Sequence, residues 1–504
     1  MKPPLPEPHR TGPTGTGRHA VLFDRAGRVA WLASTLAIWS GTAWPLAPTP
    51  PAADCRALAP WPTLPVAPVA GRNPVIDVTR YGARPDDDQP DDAGLERALQ
   101  AAQPGDWIVF PPGRYLQARS WLFTVPGITL WGPGAQVHAL DPADQTIGLR
   151  ADGMRMFGFK LTAATDRRRT QLNNERVTVA PGRAPTRASP PVRHVLVRGI
   201  TIEPEAGAPF AGSAAGIFVY HASHFTIAEN RIRATLADGI HITDGSRMGR
   251  VIGNQVSQTG DDAIATVTYL GDEGIARLRK GLEADPERQV RDILIEANTV
   301  GGNAWGRGIG VIGSERITVR GNLIRGVELA AGIIVAQEGV YKTPGARDVL
   351  IEGNQIRDIQ VAGQAADPGN RRARTGHAGI EIHAYANPPG DVAAPFVAER
   401  LRVRNILVRG NQIDNTGAGG IRVGAQSAPG LIERIRLENN TLRRTTGDPV
   451  QLHAPGSITR SCANGMNGMN GTAGANGTGA SIGCPPAEVD EVPAGARVDC
   501  STLP

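Results

Sequence analysis

The sequence predicts an all-β protein built as one parallel β-solenoid with an N-terminal capping helix. An alternating aliphatic phrase that ends in asparagine recurs through the second half of the chain. A second phrase, small-Gly-Ile-x-Val, sits between its copies. Glycine and proline are abundant (62 and 41 of 504 residues) while aromatic residues make up only 5%. Each helical glycine costs about 1 kcal/mol relative to alanine, so this composition excludes a helical bundle. Gly plus Pro stays below the roughly 25–30% typical of disordered chains. With 40% hydrophobic residues, a packed core is expected.

Residues 1–46 read as a signal peptide or an N-terminal anchor. Arg25 and Arg28 precede an apolar stretch, Val29 to Trp39, and small residues follow at Gly41 and Ala43, the layout of an export signal. The stretch is shorter than the roughly 20 residues of a membrane span. Residues 47–72 form a Pro/Ala-rich linker, and a secreted or periplasmic location is expected.

The next module holds an acid-rich loop, Asp86–Asp92, then GLERALQAA and DWIVFPPGRY. Leu95, Ala98, Leu99 and Ala102 follow helical spacing, and Asp91 or Asp92 suits the helix N-terminus. A solenoid must cover its exposed apolar end, and this helix supplies the cap. The five aspartates are read as a cap loop rather than a calcium site.

The asparagine phrase reads FTIAENRI, VIGNQV, ILIEANTV, ITVRGNLI, VLIEGNQI, ILVRGNQI and IRLENNTL, with Asn230, Asn254, Asn298, Asn322, Asn354, Asn411 and Asn440. Steps of 24, 44, 24, 32, 57 and 29 residues separate them. Two short strands and their turns per 22–24 residues make one coil. Asparagine fits a corner because it tolerates the left-handed conformation and bonds locally, and a stack of such residues predicts an amide ladder. The longer steps predict insertions at Tyr269–Arg288 and within 360–403, and Ala163–Pro191 is also irregular. The solenoid is expected to cover residues 73–460.

Residues 461–504 form a Gly/Asn-rich tail. The four cysteines, Cys55, Cys462, Cys484 and Cys500, all lie in the flanks and permit two disulfides in three pairings. A Cys462–Cys484 bridge would staple the tail. Their spacing is not that of a zinc site, and no metal or cofactor is expected. The 53 basic residues include only four lysines, and the arginines are scattered rather than gathered in the stripe of a nucleic-acid binder.

The first column of the second phrase reads Ala215, Asp238, Asp262, Arg307, Ala331, Ala378, Gly419. Coils stack at about 4.8 Å, so Asp238, Asp262 and the adjoining Asp261 become neighbours. Such crowding raises at least one pKa, and carboxyls with separated pKa values are what glycosidic-bond hydrolysis requires. Alternation places His241 on the outer face beside Asp238, where it can contact sugar. Tyr220, Tyr269, Trp305 and Tyr341 are candidates for stacking or packing, and His221 and His224 read as surface residues.

The segment DVTRYGARPDDDQPDDAGLERALQAAQPGDWIVFPPGRYLQ resembles the N-terminal part of the pectate-lyase-like superfamily, which implies a right-handed β-helix. ADGIHI and TGDDAIA resemble two motifs of glycoside hydrolase family 28, the polygalacturonase-like enzymes. That resemblance implies Asp261 as general acid, with Asp238 and Asp262 activating water in an inverting attack. The family's uronate-binding end is altered. Leu236 replaces an Asn, Gly306-Arg307-Gly308 replaces Gly-His-Gly, and Ile334 and Ala336 stand where Arg and Lys would sit. Arg307 or Lys342 is the substitute anion contact. The expected partner is a polysaccharide or oligosaccharide, with no nucleic acid and no membrane beyond a possible N-terminal anchor. A lyase or uronate epimerase on the same groove, and a non-catalytic glycan-binding or structural solenoid, are the alternatives.

Overall fold

The computed structural model describes residues 58–65, 74–165, 175–182, 189–283, 285–303, 305–361, 374–385, 395–425, 427–462 and 465–466. Among them the chain winds as a right-handed parallel β-helix, and like strands of successive coils stack into three sheets of 14, 11 and 12 strands. Most coils therefore carry three strands rather than the two expected. The extra one follows each asparagine, as in Arg231–Arg233, Gln255–Ser257 and Thr299–Gly301. Three residues with one inward aliphatic are too short to show as alternation in a sequence.

The strands that matter for function lie in the 11-stranded sheet. They are β1 (Ile217–Tyr220), β2 (Ile240–Thr243), β3 (Ile264–Val267), β4 (Ile309–Ile312), β5 (Ile333–Glu338), β6 (Ile380–Tyr385) and β7 (Ile421–Val423). Their first isoleucines pair in one row, Ile217 through Ile421, pointing inward and fully buried. Each contributes about 1.5–3 kcal/mol by leaving water.

The seven asparagines form the predicted ladder. Each Nδ2 donates to the Oδ1 of the next, from Asn230 to Asn254 at 2.9 Å through Asn411 to Asn440 at 2.9 Å. Asparagine itself is not the left-handed residue, however. The residue before it is, with φ between 54° and 66° at Glu229, Gly253, Ala297, Gly321, Gly353, Gly410 and Asn439. That corner turns the asparagine side chain inward, which is why Gly so often precedes Asn.

Helix α1 (Asp92–Ala101) packs Leu95 and Ala98 over the open end. A methyl group at Gly94 would meet the Ala83 backbone nitrogen at 2.2 Å, so only glycine allows this approach. Asp91 makes no side-chain cap to α1. Its carboxylate instead accepts from the Arg84 and Leu116 amides, and Asp92 accepts from Ala118, Arg119 and the Trp121 indole. The two acids tie the helix to the first coils, where backbone donors at a turn outcompete the helix end.

The insertions supply α2 (Gly271–Arg279) and α3 (Pro395–Leu401), which pack on each other beside the 14-stranded sheet. No helix among the described residues is long and apolar enough to cross a membrane. The export segment and the side chains of all four cysteines lie outside the described residues.

Candidate active site

The register confirms the column. Ile240, Ile264 and Ile309 pair in line, and the Asp238 carbonyl accepts from Gly216 while the Asp262 carbonyl accepts from Gly239. Asp238, Asp262 and Arg307 thus occupy equivalent places on three successive coils. Carboxylate oxygens of Asp238, Asp261 and Asp262 all lie within 4.8 Å of one another.

Each acid is held differently. Asp238 Oδ2 lies 2.7 Å from His241 Nδ1. The His241 ring is sandwiched nearly parallel between Phe218 and Tyr269, at centroid distances of 5.3 and 6.3 Å. Asp262 is 3% exposed. Its Oδ1 accepts the Arg307 backbone N–H at 2.6 Å, and Nη1 of the same arginine lies 3.5 Å from Oδ2. Burial pushes the Asp262 carboxyl up to about 6, with Asp238 and Glu338 adding to the rise and Arg307 opposing it. Asp261 is the more exposed member of the pair.

These groups sit in a cleft of about 1090 Å³. Its floor, the outer face of the sheet, includes Ala265, Val267 and Ile312, and Tyr269, Trp305, Tyr341 and Tyr385 stand around it. Gly310 lies under Asp262, where an added methyl would meet Oδ2 at 2.7 Å. Burial and the neighbouring carboxylates push the Tyr341 phenol up to about 12 and raise that of Tyr269 as well. Both stay neutral hydrogen-bonding groups.

Of the residues singled out from sequence, Asp238, Asp261, Asp262, His241 and Arg307 come together in the cleft. Arg307 is already engaged. Besides Asp262, its Nη2 pairs with Glu338 from the adjoining β5; burial lowers its pKa, but Glu338, Asp262 and Asp261 outweigh that and raise it. Lys342 does not join the cleft lining. It ends a short 3₁₀ turn in the left-handed conformation, and its Nζ pairs with Asp272 of α2. Tyr220 likewise stays outside and stacks on Phe218. His221 is buried rather than on the surface, because its two ring nitrogens bond the Asp244 and Ser189 carbonyls across a corner.

Sequence reasoning missed Glu338, His377 and Tyr385. A signal existed for His377. The column one place ahead of the first reads Ala214, Ala237, Asp261, Gly306, Ala330, His377, and all six line the cleft. Glu338 had none, since β5 runs past the recurring phrase.

A family model described as "Right handed beta helix region" matches residues 215–463. No curated protein matches the chain. Among solved structures, the chain is similar to the A-module of the Azotobacter vinelandii mannuronan C-5 epimerase AlgE6, at 16% identity and TM-score 0.52, covering 78% of this chain and 99% of that one. It is also similar to the catalytic domain of a GH87 α-1,3-glucanase in complex with tetrasaccharides (16% identity, TM-score 0.55, 80% and 71% covered). The GH87 α-1,3-glucanase of Streptomyces thermodiastaticus strain HF3-3 gives 18% identity and TM-score 0.50, with 81% and 71% covered. Sheet register, family model and structural neighbours agree: the protein has the right-handed parallel β-helix fold.

Proposed function

We propose that the protein is an exported glycoside hydrolase acting on an uncharged polysaccharide by an inverting mechanism. The observation that carries this reading is the convergence of Asp238, Asp261 and Asp262 on the cleft. Asp261, half-buried at the cleft, delivers a proton to the leaving glycosidic oxygen. Asp238 and Asp262 accept the proton of a water that attacks the anomeric carbon from the other face. A base with a pKa near 6 is well placed for this work close to neutral pH.

Carboxyl spacing alone would suit a retaining pair, for which separations of about 5–5.5 Å are usual, against about 6.5–9.5 Å for inverting enzymes. Oxygen occupancy favours water. Both Asp262 oxygens face Arg307 donors and one Asp238 oxygen faces His241, so neither acid is presented as a free nucleophile.

The substrate class follows from charge. Among the described residues, five acids line the cleft against one arginine, and that arginine is neutralised by Asp262 and Glu338. A polyuronate would meet uncompensated like charge. A lyase or uronate epimerase would need a cation beside the substrate carboxylate; Arg307 is already paired, so that cation would be a metal ion held by the three acids. The similar solved structures include both a glucanase and a mannuronan epimerase, so the choice between them rests on the charge of the cleft. Export, expected from residues 1–46, belongs to the proposal because polymeric substrates lie outside the cell.

A polysaccharide panel tests the proposal. Wild type should release reducing ends from a neutral glycan without ultraviolet-absorbing unsaturated sugars, and Asp262→Asn should lose about 10²–10⁴-fold in rate. Proton NMR of the first-formed product should show the inverted anomer. Unsaturated products, a retained anomer, or full activity in Asp262→Asn would each overturn the corresponding part.

A further inference from the structure

Resting on the hydrolase reading, we propose that His377, Tyr385, Thr375 and Ser427 form a distal subsite for a neutral sugar ring. It lies about three coils from the bond that is cleaved. His377 precedes Ala378 just as Asp261 precedes Asp262, and the register carries that equivalence through β4 and β5 to β6. Three coil spacings of about 4.8 Å put the two side chains ~14 Å apart along the helix axis. All four residues line the same cleft as the acids.

The polar groups at this end are poised for a ligand. His377 is 7% exposed, yet its Nδ1 has no hydrogen-bond partner. Leaving such an atom buried and unpaired costs about 1–3 kcal/mol; it is closed off from the cleft as the ring stands, so a bound sugar hydroxyl meets it once the ring turns outward. The Tyr385 hydroxyl lies 3.5 Å from His377 Nε2. Ser427 Oγ accepts the Ala384 amide at 2.9 Å, and Thr375 is fixed through the Leu329 carbonyl at 2.9 Å.

Charge at this end is internally cancelled. Glu381 accepts Arg422 Nε on both oxygens, at 3.0 and 2.9 Å, and the Ala378 amide at 3.0 Å. Burial, with His383, Arg307 and Arg422 nearby, pushes His377 down to about 2. A neutral imidazole offers one donor and one acceptor, the complement of adjacent hydroxyls on a pyranose. With its ring beside them, Tyr385 adds an aromatic face. Among the described lining residues, a uronate or sulfated sugar finds no unpaired cation.

The test compares wild type, His377→Ala, Tyr385→Ala and Tyr385→Phe on neutral gluco-oligosaccharides of two and six residues. On the hexamer, both alanine variants should lower kcat/KM about tenfold, mainly through KM, and shift the product lengths. On the dimer, which cannot span both places, activity should stay within twofold, and Tyr385→Phe should keep the stacking share. Equal losses on both lengths would mark a structural role and overturn the subsite, as would no loss on either. Calorimetric binding of the hexamer separates this from the hydrolase reading. Binding by wild type that Tyr385→Ala weakens, in a protein that cleaves nothing, would sink hydrolysis and keep the subsite. No binding by wild type would overturn the subsite.

Discussion

Arg307 grips Asp262 twice, through its backbone N–H at 2.6 Å from Oδ1 and through Nη1 at 3.5 Å from Oδ2, while its far end is held by Glu338. One arginine therefore fixes the position of the most buried acid in the cleft and tempers the rise in proton affinity that burial imposes. Glu338 acts on Asp262 directly, raising its pKa, and indirectly, by sharing the guanidinium. Replacing Glu338 with glutamine removes the negative charge and leaves Arg307 to Asp262. The Asp262 pKa should then fall, so the acid limb of the kcat/KM profile should move to lower pH. An unchanged limb, in a variant that remains folded, would disconnect Glu338 from Asp262.

Stability should carry the same signature. Asp262 has a folded pKa of about 6, above its ordinary 3.8. The folded state therefore binds more protons between those values, and stability is lost as pH rises through that window. The loss is of order 2–3 kcal/mol for a shift of this size. Thermal unfolding of wild type and Asp262→Asn should diverge between pH 4 and 6, with the variant gaining relative stability. Parallel pH curves would count against the raised pKa.

Gly310→Ala offers a change that adds no charge. Its methyl would meet Asp262 Oδ2 at 2.7 Å and push the carboxylate off its position. A misplacement near 1 Å costs about 10²-fold in rate, so kcat should fall by roughly that factor while the melting temperature changes little. Wild-type kcat in this variant would show that Asp262 has room to move.

The asparagine ladder is a stability element remote from the cleft. Asn322 Oδ1 accepts both the Asn298 amide N–H and its Nδ2, at 2.9 and 3.0 Å. Asn322→Ala orphans both donors, each at about 1–3 kcal/mol, so chemical denaturation should show a loss of ~3 kcal/mol. Asn440 Oδ1 accepts the same pair of donors from Asn411, at 3.1 and 2.9 Å, so Asn440→Ala should cost a similar amount. A loss under about 1 kcal/mol at either position would argue against the ladder as a stability element.

Sequence alone determined the solenoid, because each coil repeats the same inward pattern and one row of isoleucines proves the register. It also determined that Asp238, Asp261 and Asp262 meet, since a repeat of constant height turns sequence spacing into neighbourhood. The tertiary structure decided what those acids are bonded to. Arg307 was legible as a neighbour, but not as a clamp, because its pairing with Glu338 depends on where β5 carries that acid beyond the repeat. Lys342 went to Asp272 because the insertion holding α2 stands beside its turn. His377 and Tyr385 closed the far end of the cleft only once a 57-residue step between Asn354 and Asn411 returned to register. Repeats are read locally, whereas the groups that tune a buried charge arrive through insertions, whose path the repeat does not encode.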